Sequence, residues 1–509
     1  MVNTMRNKKI VFDTAMLLFS NIVVKGLGFV YRVLLVRYLG TEGIGLVEMV
    51  SPLFSFLIVL SGLGIQTSMT QLIARKQEQR FLYLRTARIF LLCTGLTIGL
   101  ASFISAPLLI QIGAADQRVF LSFLCVIPAI PIISYASAYR GYLQGLRRMQ
   151  PIAASQNTEQ LVRSLLGVLL AAELVGHGLE LAAIGPSLAT VCGEGAGLLM
   201  LLFCMGRQRE DIPPKKLPVP LRQYWQAGKE LLSYGLPLTG GRLVASGIMM
   251  LQAMLIPLCL KRAGWNTEAA TTLYGQFSGV AMSLLHLPGV FTAALSVVIM
   301  PAVAESVSSA AKSCSILGHR INTSLRATLS GTVPGMLLLY LFAEPYCILI
   351  FDNAPAAPLL RILALGGVFF YLQVSLTSIL QGLGEVRRLL LNSLISGVVL
   401  LLGICFLVAN PRLGICGAAI ATSVCWLSGF LLNYLHLRRY CGFSPGLMKM
   451  SLPPVFAAFG SGGLYQLVRP WLCAILPLTR LSATITQSVI VALLYGILLF
   501  FFGGISVRK

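Results

Sequence analysis

Charge is what this chain has little of: only 11% of its residues are Asp, Glu, Lys or Arg, against roughly a quarter in an average soluble protein. A water-soluble globular fold is thereby excluded. Paired cysteine motifs are missing too. The 12 cysteines lie singly, mostly inside apolar runs, as Cys93, Cys125, Cys192 and Cys425 do, and no C-x-x-C occurs. They read as small apolar side chains, not as disulfides or metal ligands. No G-x-x-x-x-G-K-S/T or H-E-x-x-H is present, so no P-loop ATPase or metalloprotease motif of that kind is encoded, and the chain is expected to be neither an enzyme nor a cofactor protein. Acidic residues are scarce, 17 against 39 basic ones, for a formal charge of +22. No stretch interleaves basic and aromatic residues as single-strand binding requires, which discards nucleic acid as a partner. The basic excess fits instead the positive-inside rule and anionic lipid headgroups.

What the chain does have is apolar length: 56% of its 509 residues are hydrophobic. In lipid only helices and closed barrels satisfy every backbone polar group. The runs are too long and too uniformly apolar for barrel strands, so the expectation is an all-α polytopic membrane protein. A spanning helix needs about 20 residues, and charge, proline and glycine punctuation yields fourteen transmembrane candidates: 11–38, 43–73, 86–111, 117–145, 152–176, 181–205, 231–260, 271–300, 326–349, 357–384, 389–409, 414–437, 451–470 and 481–505. The first apolar stretch runs far beyond a signal-peptide core and has no A-x-A site, so it is expected to remain as a helix.

Alternate loops differ in charge. One set carries Arg6, Lys8 and Lys9, then Arg75, Lys76, Arg80, Arg85 and Arg88, then Arg147 and Arg148, the basic cluster of 207–229, Lys312, Arg320 and Arg326, Arg387 and Arg388, Arg438, Arg439 and Lys449, and Arg508 and Lys509. The other has only Arg37, Arg118, Lys261, Arg262, Arg412, Arg469 and Arg480. Both termini are therefore expected in the cytoplasm. Two short motifs recur in order. Leu143-Gln144-Gly145-Leu146 returns at 380–383, and Gly185-Pro186-Ser187-Leu188-Ala189-Thr190 is answered by Gly417-Ala418-Ala419-Ile420-Ala421-Thr422. The implied organisation is two six-helix parallel-repeat lobes, an N-lobe over 1–205 and a C-lobe over 231–440. A Pro-rich cytoplasmic linker covers 206–230, and two extra C-terminal helices occupy 441–509.

Six basic residues fall inside or at the edge of spans: Lys25, Arg32, Arg140, Arg163, Arg242 and Arg361. At a helix centre each costs about 2.5–3.5 kcal/mol on insertion scales, so they are expected to face a partner or a wet cavity. Lys25 and Arg32 are two turns apart on one face of the first helix. A cationic surface of this kind suits a phosphate or carboxylate. For Arg140 and Arg361 snorkelling to the headgroups is the alternative. Arg163 follows Glu159 at the spacing of a same-helix ion pair. Glu48, with no such neighbour, is a candidate for ion coupling or for a cross-helix pair with Arg32, and Glu159 is the other candidate acid. Gly193-Glu194-Gly195-Ala196-Gly197 reads as a helix-packing face.

Tyr139-Arg140-Gly141-Tyr142-Leu143-Gln144-Gly145, with Met149-Gln150-Pro151, Ser155-Gln156, Glu159-Gln160 and Val162-Arg163, resembles the family of stage V sporulation protein B. That family is in the polysaccharide-transport branch of the multidrug/oligosaccharidyl-lipid/polysaccharide (MOP) exporter superfamily. Leu27-Gly28-Phe29-Val30-Tyr31-Arg32, Gly40-Thr41-Glu42-Gly43-Ile44-Gly45-Leu46 and Tyr274-Gly275-Gln276 through Pro301-Ala302-Val303-Ala304-Glu305 are similar to the same family. The resemblance implies fourteen helices and alternating access that flips an undecaprenyl-diphosphate-linked saccharide, a peptidoglycan precursor or polysaccharide unit. It also implies a lipid II flippase-like cavity lined by Lys25, Arg32 and Glu48, with Arg242 at a basic position early in the seventh helix. The expected setting is a bacterial cytoplasmic membrane, with a lipid-linked saccharide and membrane lipid as partners and a monomeric chain. Coupling to Na+, H+ or the membrane potential stays open. Two rival expectations are a cation-coupled multidrug antiporter of the same superfamily and a noncatalytic scaffold for envelope or spore-wall assembly.

Overall fold

The computed structural model describes residues 2–113, 115–207, 220–289, 314–441, 446–475 and 480–502. Much of the expected linker, the last third of the eighth candidate span with Pro301–Glu305, and the last seven residues lie outside the described residues. Among the described residues every regular element is helical. This is the outcome that apolar runs in lipid require. Among the described residues ten helices are long and apolar enough to cross a membrane, or eleven if Ile321–Leu341 and Ala343–Phe351, bent by 80°, form one span. The expected count of fourteen is not reached on this basis. One reason is that the first two candidates are counted as one piece of 54 residues. Another is that the eighth is described only in part.

The first helical stretch, α1 (Val2–Gly62), is two helices that meet at a break at Gly40, with φ 66 and ψ −179. That conformation is open to glycine and strained for other residues. Arg32 and Glu48 touch at 2.6 Å, whereas 16 residues of straight helix would separate them by about 24 Å. The chain therefore folds back at Gly40, and α1 is two antiparallel arms. Then come α2 (Ile65–Arg75), α3 (Arg80–Gly113), α4 (Val119–Val126), α5 (Ala129–Gly145), α6 (Gln150–Leu174), α7 (Leu179–Ala182), α8 (Ile184–Arg207), α9 (Leu221–Arg262) and α10 (Thr267–Gly275).

Two compact units emerge. The first holds residues 1–258 and 266–275, the second 259–265 and 276–509. The first unit thus extends past the Pro-rich segment at which the sequence suggested a boundary. One reason is that Glu230 of α9 accepts hydrogen bonds from Lys76 Nζ and Tyr83 Oη, both at 2.5 Å. Its core packs Tyr83, Tyr142, Met69 and Leu72 without solvent exposure. The second unit packs Ile321, Leu325, Leu376, Ile379 and Leu380 in the same way.

The repeated motifs adopt the same local geometry in each unit. Leu146 closes α5 at φ −80 and ψ 0, and Leu383 closes helix Ala357–Gly382 at φ −77 and ψ −9. The next residues, Arg147 and Gly384, are both left-handed. In each case a bond then reaches back five residues: Arg148 N–H to Leu143 O at 2.9 Å, and Glu385 N–H to Leu380 O at 3.0 Å. This is the termination that left-handed C-caps provide. Gly185 and Gly417, at matching places in the second motif, each lie against the backbone of the preceding helix.

Within the first unit α10 is clamped to the α1 hairpin. A Cβ on Gly45 would lie 2.3 Å from the Thr271 carbonyl oxygen, and one on Gly275 within 1.8 Å of the Thr41 oxygen. An ionic knot closes the same place. Asp116, 2% exposed, accepts from Arg118 Nη2 at 2.8 Å and from Thr271 Oγ1 at 2.9 Å, and Arg118 Nη1 reaches Glu42 at 2.8 Å. Burial pushes the Asp116 carboxyl up, but the hydrogen bonds from Arg118 and Thr271 outweigh it and hold it below 3.8.

Two predictions follow from this clamp. Gly45→Ala is expected to destabilise by about 1–3 kcal/mol through overpacking. Gly195→Ala, where nothing lies within 4 Å, should be neutral or stabilising by up to about 1 kcal/mol. Thermal unfolding in detergent measures both. A carboxylate depressed in the folded state contributes stability above its unfolded value that is lost as pH falls through the folded one. The stability gap between native protein and Asp116→Asn is therefore expected to be constant near neutrality and to close below about pH 4.

Candidate functional site

A cavity of about 410 Å³ lies inside the first unit, between the two arms of α1, α6 and α8. About half of its wall is apolar, with Leu35, Ile44, Phe54 and Ile58. Its polar lining is made by Tyr31, Arg32, Glu48, Ser51, Ser55, Gln160, Arg163, Ser187, Thr190 and Glu194. The hairpin at Gly40 brings Arg32 and Glu48 to the same wall. Arg32 Nη2 donates to Glu48 Oε1 at 2.6 Å, and the Glu48 side chain is only 12% exposed.

A second charged group forms the opposite wall. Arg163 Nη2 donates to Glu159 Oε1 at 2.8 Å and to Glu194 Oε1 at 2.9 Å. Arg140 Nη2 donates to Glu159 Oε2 at 2.9 Å and stands 3.6 Å from Glu194 Oε2. Three helices thus contribute to a ring of two guanidiniums and two carboxylates. The helices come close enough because Gly193 and Gly197 of α8 lie against α6, where a Cβ would meet Glu159 O at 2.9 Å and Glu159 Cβ at 3.1 Å. With glycine at 193 and 197, one turn apart, and the acid at 194, the packing face is also what delivers the charge.

The sequence-selected residues separate into three groups. Arg32, Glu48 and Arg163 line the cavity, and Arg140 and Glu159 stand behind it in the ring. Lys25 and Arg242 are exposed and are not among the lining residues. Arg163 and Glu159 do form the same-helix pair that their spacing suggested, but the pair extends to Glu194 and Arg140. Glu48 does pair with Arg32 across the hairpin. The lining charges are Arg32 and Arg163 against Glu48 and Glu194, so the cavity is balanced in charge. Glu194, Gln160, Ser187 and Thr190 were not selected as site residues from the sequence. The acid inside a glycine-rich helical stretch was the available signal for Glu194. Among the described residues no group of three or more His, Cys, Asp or Glu side chains is placed to hold a metal ion.

Chemically, a guanidinium that already holds a carboxylate is poised to exchange it for a phosphate oxygen, because both offer the same acceptor geometry. Removing one member of a buried pair leaves the other uncompensated, at about 3–5 kcal/mol. Arg163→Ala is expected to lower stability by about that amount. Arg163→Ala/Glu194→Ala should be more stable than the single variant, a coupling that thermal unfolding of the double-mutant cycle detects.

The polysaccharide biosynthesis protein family model matches residues 10–307. Stage V sporulation protein B of Bacillus subtilis (strain 168) is 32% identical over 416 residues, covering 80% of this chain and 79% of that protein. Among solved structures, the lipid II flippase MurJ in an inward closed conformation superposes with a TM-score of 0.69 at 15% identity, over 96% of this chain and 98% of the other. An inward-facing multidrug resistance MATE family transporter of the MOP superfamily gives 0.63 at 18% identity, over 82% and 95%. The fold is therefore that of polytopic MOP-type membrane transporters.

Proposed function

We propose that this chain, which belongs to the polysaccharide biosynthesis protein family, is a flippase that carries an undecaprenyl-diphosphate-linked saccharide across the bacterial cytoplasmic membrane by alternating access. The observation that carries the reading is the membrane-embedded cavity with Arg32 held by Glu48 on one wall and Arg163 held by two acids on the other. In the empty protein the carboxylates neutralise the guanidiniums, which lipid surroundings demand. A diphosphate entering the cavity replaces Glu48 on Arg32 through charge-assisted hydrogen bonds. Gln160, Ser187 and Thr190 offer the amide and hydroxyl partners that a sugar headgroup needs, and the prenyl tail stays in lipid. No covalent bond is made or broken. The likeness to the lipid II flippase over 96% of the chain, against 82% for the multidrug transporter, supports this assignment over the antiporter. In this reading the protein acts as a monomer with both termini in the cytoplasm.

The two acids facing the cavity favour one second reading, an exporter of cationic compounds, because Glu48 and Glu194 would pair with such a substrate as readily as Arg32 with a phosphate.

The test is flipping of fluorescent undecaprenyl-diphosphate saccharides by the full chain in proteoliposomes. Arg32→Ala is expected to slow the initial rate by about tenfold or more, the equivalent of one charge-assisted hydrogen bond, while Lys25→Ala stays within about twofold. Equal rates for native protein and Arg32→Ala, or efflux of a cationic dye with no flipping, would reject the proposal.

A further inference from the structure

Glu194 is the member of the ring whose situation the flippase reading leaves unexplained. It is 6% exposed, yet it lines the cavity. Its Oε1 accepts one hydrogen bond, from Arg163, while its buried Oε2 accepts none and has only Arg140 at 3.6 Å. Glu159, in contrast, takes a short bond on each oxygen. Both acids share one nitrogen, Arg163 Nη2, so their Oε1 atoms are held close together with a single donor between them. A carboxylate in that position keeps its charge only while Arg163 stays. Once the guanidinium is drawn away, a buried, underbonded carboxylate faces a second one, and binding a proton is the way to remove the repulsion.

We propose that Glu194 is a proton-binding site, loaded when an anionic group in the cavity takes the Arg163 guanidinium from it. The exchange balances simply: the hydrogen bond donated by Arg163 Nη2 passes from Glu194 Oε1 to a phosphate oxygen, the guanidinium keeping its protons, and one proton from cavity water binds Glu194 Oε2. The other groups facing Glu194 keep the site local. From α6 these are Glu159 and Arg163, and from α5 Arg140. The adjoining α4 contributes no charged side chain, and the only one on α7 is Glu180, about 20 Å away along the helix axis. Across the cavity, α1 presents Tyr31, Arg32 and Glu48. Because linkage is reciprocal, an anion that promotes protonation of Glu194 is itself bound more tightly at lower pH. The consequence for transport, one proton carried with each substrate, rests on the flippase reading; the proton site does not.

The experiment follows the carbonyl stretch of protonated carboxylic acid by infrared difference spectroscopy, on the full chain in lipid vesicles, titrated between about pH 5 and 8 with and without inorganic diphosphate. Native protein should show a band that fades as pH rises, with a midpoint that moves up by at least about 0.5 unit when diphosphate is present. The band should be absent from Glu194→Gln and retained in Glu48→Gln. Gel filtration and circular dichroism establish that Glu194→Gln is folded. If it is not, Glu194→Asp, which keeps the titrating group, should shift the band. No titrating band in native protein, a band that survives Glu194→Gln unchanged, or a midpoint that diphosphate does not move would overturn the proposal. A protein that shows the Glu194 band but flips no lipid-linked saccharide would refute the flippase reading and leave the proton site standing.

Discussion

Neutralisation of charge in a low-dielectric interior is the constraint on which the first unit depends. Arg140, Arg163, Glu159 and Glu194 come from α5, α6 and α8, and none could stay ionised in lipid without the others. The effective interaction between such charges is several times stronger there than in water. The ring therefore fixes the relative position of three helices whose apolar surfaces alone would slide. The close approach that it needs is provided on α8 by glycines at 193 and 197 and on α6 by Glu159 itself.

The same economy of backbone shapes the rest of the unit. One left-handed glycine, Gly40, turns α1 back on itself and so creates the cavity wall on which Arg32 and Glu48 meet. The clamp on α10, made by Gly45 and Gly275 and by the Asp116 knot, ends where the π-helical stretch Gln276–Ala281 begins.

Much of this was legible in the residues. Uniform apolar runs made helices in lipid obligatory, and the Leu-Gln-Gly-Leu repeat announced the common helix ends at 146 and 383, because a helix closes on left-handed geometry in the same way wherever its last turn is the same. The spacing of Glu159 and Arg163 gave their ion pair, and the isolation of Glu48 left ion coupling and a pair with Arg32 as its two alternatives. What the spacing could not give was direction. Lys25 and Arg32 share a face by periodicity, yet only Arg32 reaches the cavity, since Lys25 lies nearly two turns farther from the bend. Glu194 was read as part of a packing face for the same reason: proximity to Glu159, 35 residues earlier, is a property of two helices and not of either one.

The sequence by itself determined the class of the protein: a polytopic helical membrane chain with an internal repeat. Hydropathy and local capping are properties of short segments, so they survive without knowledge of the fold. Only the tertiary structure decided that the cavity is charge-balanced, that Glu194 completes the ring and that Lys25 and Arg242 stand outside the cavity. Those outcomes depend on which helices pack together and at what depth. Neither is encoded in any one helix, because each ion pair needs a partner from elsewhere in the chain.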